Sequence, residues 1–141
     1  MIDVEPIVFD KIYHAVKEKF PEADIKNIYV ESAAVFPCVC IVEDDNKTYQ
    51  RTLDGYLFEH HAELLYTVTV YSNKKNGKKE EARAIVKVID EAMQSIKFTR
   101  IMLNQIPNAD QRIYRIVGRY KAIVSEGIKQ SDGTIKYQIY R

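Results

Sequence analysis

Apolar residues recur at helical spacing near the start of the chain. After Pro6, which suits a first helical turn, Phe9, Ile12, Val16 and Phe20 follow at threes and fours, with Ile7 and Tyr13 alongside, until Pro21. The spacing predicts an amphipathic helix over 5–20. Two strand-like runs follow at 25–31 and 38–43. The acidic Asp44-Asp45-Asn46 reads as a turn that separates the second run from a possible partner at 47–53. Alternation is clearest at 62–71, where Leu64, Tyr66, Val68 and Val70 fall on one face and Leu65, Thr67, Thr69 and Tyr71 on the other, which predicts a central strand. The polar stretch 72–79 contains Gly77 and reads as an exposed loop. A second helix is predicted over 80–98, with Ala82, Ile85, Val86, Ile89, Met93 and Ile96 in one stripe. Beyond it, strands at 99–106 and 112–125 flank the Pro107-Asn108-Ala109-Asp110 turn, and Asp132-Gly133 is a hairpin signal ahead of 135–140.

The order is helix, strands, helix, strands. Consecutive strands without a helix between each pair predict a mostly antiparallel sheet with two packed helices, the α+β class. No internal repeat, low-complexity tract or linker interrupts the chain, so residues 1–141 read as a single domain. The size agrees: 141 residues, 46% apolar and 29% charged, suffice for one core.

Net charge changes this picture only when it is divided. The whole chain carries +1, which argues against a highly basic nucleic-acid binder or an acidic disordered tail. Residues 1–63, however, hold 13 acidic and 6 basic side chains, and residues 64–141 hold 7 acidic and 15 basic ones. Halves of −7 and +8 suit docking onto copies of the same chain or onto charged neighbours. No apolar run approaches the roughly 20 residues that span a bilayer. The opening Met1-Ile2-Asp3-Val4-Glu5-Pro6 lacks the basic and apolar regions of a signal peptide, so a protein made and folded in a cytosol is expected. Its two cysteines, Cys38 and Cys40, fit that compartment.

Candidate chemistry is sparse. Cys38 and Cys40 share a strand face about 7 Å apart at Cα, too far for an unstrained disulfide and too few ligands for zinc. His60 and His61 point opposite ways on an extended chain and do not complete a set. His14, His60 and His61 allow a nucleophilic triad in principle, but no spacing selects one. The five glycines, at 55, 77, 118, 127 and 133, are scattered singly and build no phosphate loop. No catalytic, metal or cofactor residue is therefore assigned. Two basic clusters remain: Lys74, Lys75, Lys78 and Lys79 with Arg83, and Arg112, Arg115, Arg119 and Lys121 on a strand. On that strand 115, 119 and 121 share one side, opposite Tyr114, Ile116, Tyr120 and Ala122. A solvated face, a docking surface for a subunit or partner, and a nucleic-acid surface at 112–121 are the readings; a nucleic-acid reader would interleave exposed aromatics with such charges, and here the tyrosines fall mostly on the opposite face, which counts against the last. Ten tyrosines without a tryptophan suit rings buried at an interface with a polar tip in contact. The last hairpin, ending Tyr140-Arg141, either presents an edge to a neighbour or completes the domain's own sheet.

Several stretches carry a resemblance together. They are Phe36-Pro37-Cys38-Val39-Cys40-Ile41-Val42-Glu43 with Asp45-Asn46, Val70-Tyr71-Ser72-Asn73-Lys74 with Gly77-Lys78-Lys79, then Phe98-Thr99-Arg100, Ile106-Pro107-Asn108 and 113–120. In that order and spacing they resemble the tail terminator, or tail completion, proteins of long-tailed phages and prophages of Gram-positive bacteria, over nearly the whole chain from about residue 4. Head-completion and other neck proteins of the same gene clusters are the neighbouring alternative. The resemblance implies a virion protein without enzyme activity or cofactor, made in the host bacterial cytoplasm. It implies a hexameric ring that caps the tail tube, stops its polymerisation and joins tail to head. The implied partners are copies of itself, the major tail tube protein and the head–tail connector, with DNA at most passing through the ring. Glu43, Asp44 and Asp45 of one subunit are expected to meet the loop of Lys74, Lys75, Lys78 and Lys79, or Arg115 and Arg119, of the next, with Arg112 and Lys121 in the same expected interface. Two positions depart from the family pattern: Lys97 stands where a glycine is expected, removing a natural helix C-cap, and Gly118 where a small Ala-like residue is expected.

Overall fold

A computed structural model describes residues 1–141 apart from 53, 54, 57, 58, 133 and 141, and apart from the side chains of Lys129 and Tyr140. The chain is α+β. Helix α1 spans Glu5–Lys19, strands β1 to β3 span Asp24–Lys26, Cys38–Thr48 and His61–Ser72, and helix α2 spans Lys78–Ser95. Five more strands follow: β4 at Thr99–Gln105, β5 at Tyr114–Ser125, β6 at Ile128–Lys129, β7 at Ile135–Lys136 and β8 at Ile139–Tyr140. The main sheet runs β1-β2-β3-β5-β4, with β8 also on β5, and β6 pairs β7 separately. Every pairing is antiparallel except that of β1 with β2.

The strand at the centre is the one whose alternation is clearest. Ala62, Leu64, Tyr66 and Val70 are fully buried and Val68 is nearly so. They meet Val124, Ala122, Tyr120, Ile116 and Gly118 across β5. On this face α1 lays down Val8, Ile12 and Val16, and α2 lays down Ala82, Ile85, Val86, Ile89, Ala92 and Met93. The predicted α1 stripe is thus displaced: its buried line runs through Val8, while Ile7 and Tyr13 are 44% and 36% exposed.

Four expectations are corrected. Asp44-Asp45-Asn46 is not a turn. It lies inside one continuous β2, whose register against β3 shifts between Glu43 and Asp45, so a bulge absorbs the extra residue without ending the strand. The polar side chains find partners there: Tyr66 donates to Glu43 at 3.0 Å, Thr67 donates to Asp44, and Asn46 donates to the Ile2 carbonyl at 2.8 Å. Of the predicted strand 47–53, Lys47 and Thr48 end β2, Gln50–Thr52 forms a 3-10 turn and Leu53 lies outside the described residues. The run 25–31 extends only to Lys26, because the chain then crosses the second face of the sheet. There Val30, Ala33 and Phe36 pack on Cys38, Cys40 and Tyr71. The strand predicted over 112–125 begins at Tyr114, leaving Arg112 in the preceding turn, bound to Asp110 at 3.0 Å.

Near the C-terminus, β8 pairs with Ile123 and Val124 of β5, so the last segment completes the chain's own sheet. Gly133, half of the hairpin signal, lies outside the described residues, although β6 and β7 on either side of it are paired.

Lys97 occupies the left-handed region at φ 67°. Its N–H reaches the Gln94 carbonyl and that of Phe98 reaches the Met93 carbonyl, both at 2.9 Å. This is the Schellman arrangement that ends helices, usually built on glycine. A lysine accepts the strain because Phe98, fully buried with its ring 5.5 Å from Tyr66, anchors the turn. Lys97→Gly is therefore expected to stabilise the fold by about 0.5–1 kcal/mol, read as an upward shift of the urea midpoint with unchanged slope.

Candidate functional site

Strand alternation gives the sheet two unlike faces. The face opposite the helices carries Cys38, Cys40 and Val42 of β2, Thr67, Thr69 and Tyr71 of β3, and Arg115, Val117, Arg119 and Lys121 of β5. Segment 27–37 covers one end of it. The rest forms a shallow cavity of about 550 Å³, floored by Val42, Thr67, Thr69, Met102 and Val117. Tyr29, Tyr71, Arg115, Arg119 and Asp44 stand around that floor.

The charges around it differ in how far they are already engaged. Arg115 donates to the Pro107 carbonyl at a long 3.5 Å, and its buried Nε has no hydrogen-bond partner. Arg115 also opposes the upward push that burial exerts on the Tyr71 phenol. Arg119 is exposed and, among the described residues, unpaired. Lys121 is engaged: it pairs with Glu63, which also meets Lys47 at 3.7 Å. The Lys121 hydrogen bond holds the Glu63 carboxyl below its ordinary range.

The other expected interface residues are dispersed. Asp44 and the exposed Asp45 lie on β2, Asp44 at the rim of the cavity that Arg115 and Arg119 also line. Glu43 lies on the opposite, helix-bearing face. Burial pushes its carboxyl up, with the Tyr66 hydrogen bond pulling the other way and Asp3 adding to the rise. Lys74 and Lys75 are exposed in the loop before α2. Lys78 and Lys79, expected in that loop, instead form the first turn of α2 beside Glu80 and Glu81. Those carboxylates offset the unfavourable meeting of two lysines with the positive helix end. Lys78 donates to the Gln111 carbonyl at 2.6 Å and so ties the first basic cluster to the turn that holds Arg112 of the second.

Tyr29, Cys40, Val42 and Met102 were not singled out from the sequence as site residues. The signal for Cys40 and Val42 was present in the alternation of 38–43, whereas Tyr29 and Met102 arrive through long-range packing. Both cysteines are free and buried. Their shared hydrogen bond, with burial, pushes the Cys38 thiol up and, against burial, pulls the Cys40 thiol down. Among the described residues no group of three or more His, Cys, Asp and Glu is placed to hold a metal ion, and no helix is long and apolar enough to cross a membrane. A rigid sheet bearing an apolar floor and incompletely satisfied guanidinium groups is suited to recognising an anionic or amphipathic surface. In comparisons with protein-family models and curated proteins, nothing matches the chain.

Glu43 provides a test of the electrostatics. Its carboxyl is raised in the folded state, so the native protein binds the proton more tightly than the unfolded chain, and stability falls as pH rises from the ordinary carboxyl range through the folded value. Glu43→Gln keeps an acceptor for Tyr66 and removes the buried charge. The variant is expected to exceed the parent in urea midpoint at pH 7, with the difference closing at low pH where Glu43 is protonated.

Proposed function

We propose that this chain is a non-enzymatic virion protein of a phage or phage-like tail, a tail terminator that assembles as a six-subunit ring at the head-proximal end. The supporting observation is where the resembling segments fall. Residues 36–43, 70–79, 98–100, 106–108 and 113–120 build β2, the β3–α2 junction, the start of β4, the β4–β5 turn and most of β5, neighbouring elements of one sheet and the helix leaving it. A motif set that coincides with a contiguous structural unit is a fold and interface signature, and it carries no set of reacting groups.

In this reading the ring caps the major tail tube protein and offers another surface to the head–tail connector. The acidic first half of one subunit faces the basic second half of the next, a heterologous contact that closes by rotation. Glu43 is engaged with Tyr66, so Asp44 and Asp45 remain as the exposed acids of β2. Particles made without the gene are expected to show overlong tails and unattached heads by electron microscopy; tails of normal length would overturn the reading. Lys78→Glu with Lys79→Glu is expected to impair ring assembly while leaving the circular dichroism spectrum and melting transition near those of the parent.

One observation favours a second reading. Arg115 and Arg119, with Lys121 paired to Glu63 beside them, line the part of one sheet face that segment 27–37 leaves open, and a cationic face of this kind suits nucleic acid. If that face binds DNA or RNA, affinity falls steeply with salt, and Arg115→Ala with Arg119→Ala weakens it uniformly across sequences and lowers the salt slope. Electrophoretic mobility shifts at two ionic strengths decide the matter.

A further inference from the structure

Strand β5 supplies no exposed aromatic ring to its own cationic side, because Tyr114 and Tyr120 are buried on the helix-bearing face. The fold brings a ring from elsewhere. Tyr29, on the segment that crosses this side of the sheet, is 66% exposed and lines the open-face cavity together with Arg115 and Arg119. Strand geometry sets the two arginines about 13 Å apart, with Val117 between them and Val42 and Met102 continuing the apolar floor. Both guanidinium groups keep donors available: Arg119 is unpaired among the described residues, and the Arg115 bond to the Pro107 carbonyl is long, at 3.5 Å. The acids nearby are placed apart from them. Asp44 stands two strands away on β2, about 10 Å from β5, and accepts from Thr67. Asp45 follows it on β2, Glu63 is held by Lys121 and Lys47, and Glu31 lines a separate cavity of about 240 Å³ at the β4–β5 turn.

We infer that this cavity binds single-stranded nucleic acid, with a base stacked on Tyr29 over the Val117 floor and flanking phosphates held by Arg115 and Arg119. An aromatic platform for bases and a cationic track for the backbone are the two parts of sequence-tolerant single-strand binding. Guanidinium forks match phosphate oxygens. A duplex keeps its base faces stacked on one another and offers Tyr29 nothing to stack on, whereas a single strand can splay a base onto the ring. An acidic protein segment would meet the same arginines, but its carboxylates make no use of an exposed ring beside an aliphatic floor. The inference rests on the nucleic-acid reading of this face given above and names the form of the ligand.

Fluorescence anisotropy of the full chain with labelled oligothymidine, labelled oligouridine and a DNA duplex of the same length tests it. Both single strands are expected to bind more tightly than the duplex. Tyr29→Ala is expected to weaken oligothymidine binding about tenfold at every salt concentration with the salt slope unchanged, because stacking releases no counterions, and Tyr29→Phe to bind like the parent. Arg119→Ala is expected to lower the salt slope by about one. Tyr13→Ala, which removes an exposed ring on α1, is expected to change neither quantity. Circular dichroism spectra matching the parent establish that each variant is folded. Equal binding of duplex and single strand, or a Tyr29→Ala protein that binds like the parent while Arg119→Ala does not, overturns the stacking inference and leaves the nucleic-acid reading of the face standing. No salt-sensitive binding of any of the three probes removes both. A Tyr29→Ala protein that binds oligothymidine like the parent but no longer joins assembled particles overturns the inference in favour of a protein partner.

Discussion

Everything in this structure depends on β3 being paired on both edges along its length. Its alternate residues face the helices and are sealed there, and its register against β2 and β5 decides which side of each of those strands is also sealed. A one-residue slip would turn the whole row to the other side. Two buried tyrosines oppose each other in that register, Tyr66 on β3 and Tyr120 on β5. A buried phenol needs an acceptor, and each finds a carboxylate: Glu43 for Tyr66 and Asp90 for Tyr120, each at 3.0 Å. Burial and these carboxylates keep both phenols protonated far above their ordinary range. The two acids thus serve the core, one from β2 and one from α2.

The same alternation leaves the other side of the sheet for recognition. Segment 27–37 and Ile113 cover it in part, and the rest combines aliphatic, threonine and arginine side chains. Cations on that side fall into two kinds. Lys121 and Lys47 share Glu63 and belong to the sheet's own electrostatics, whereas Arg115 and Arg119 keep donors available. A basic strand counted from sequence treats all of these as equivalent; their partners separate them.

The split of −7 and +8 is carried outside the helices, since α1 holds three acids and three bases and α2 four of each. Acidic residues gather at Asp3 and Glu5 and along β2, and basic ones in the loop before α2 and on β5. Groups already tied internally, such as Glu43, Asp90, Glu63 and Arg112, subtract from both sides. What remains exposed on the sheet is Asp44 and Asp45 on β2 and Arg119 on β5, unlike patches of the kind a heterologous contact uses.

Periodicity alone determined the α+β class, the two helices and the central strand, because 3.6-residue and 2-residue repeats of apolar side chains each have one way to bury themselves. It also placed Arg115, Arg119 and Lys121 on one side of β5. Tertiary structure decided the remainder. Asp44-Asp45-Asn46 has turn composition, yet Thr67 and Ile2, distant in sequence, supply the contacts that let β2 run through it as a bulge. Lys97 ends α2 without the expected glycine because Phe98 is held in the core by Tyr66. The cavity on the open face and the engagement of each charge likewise depend on residues tens of positions apart, and local pattern carries no record of which distant side chain will satisfy a given group.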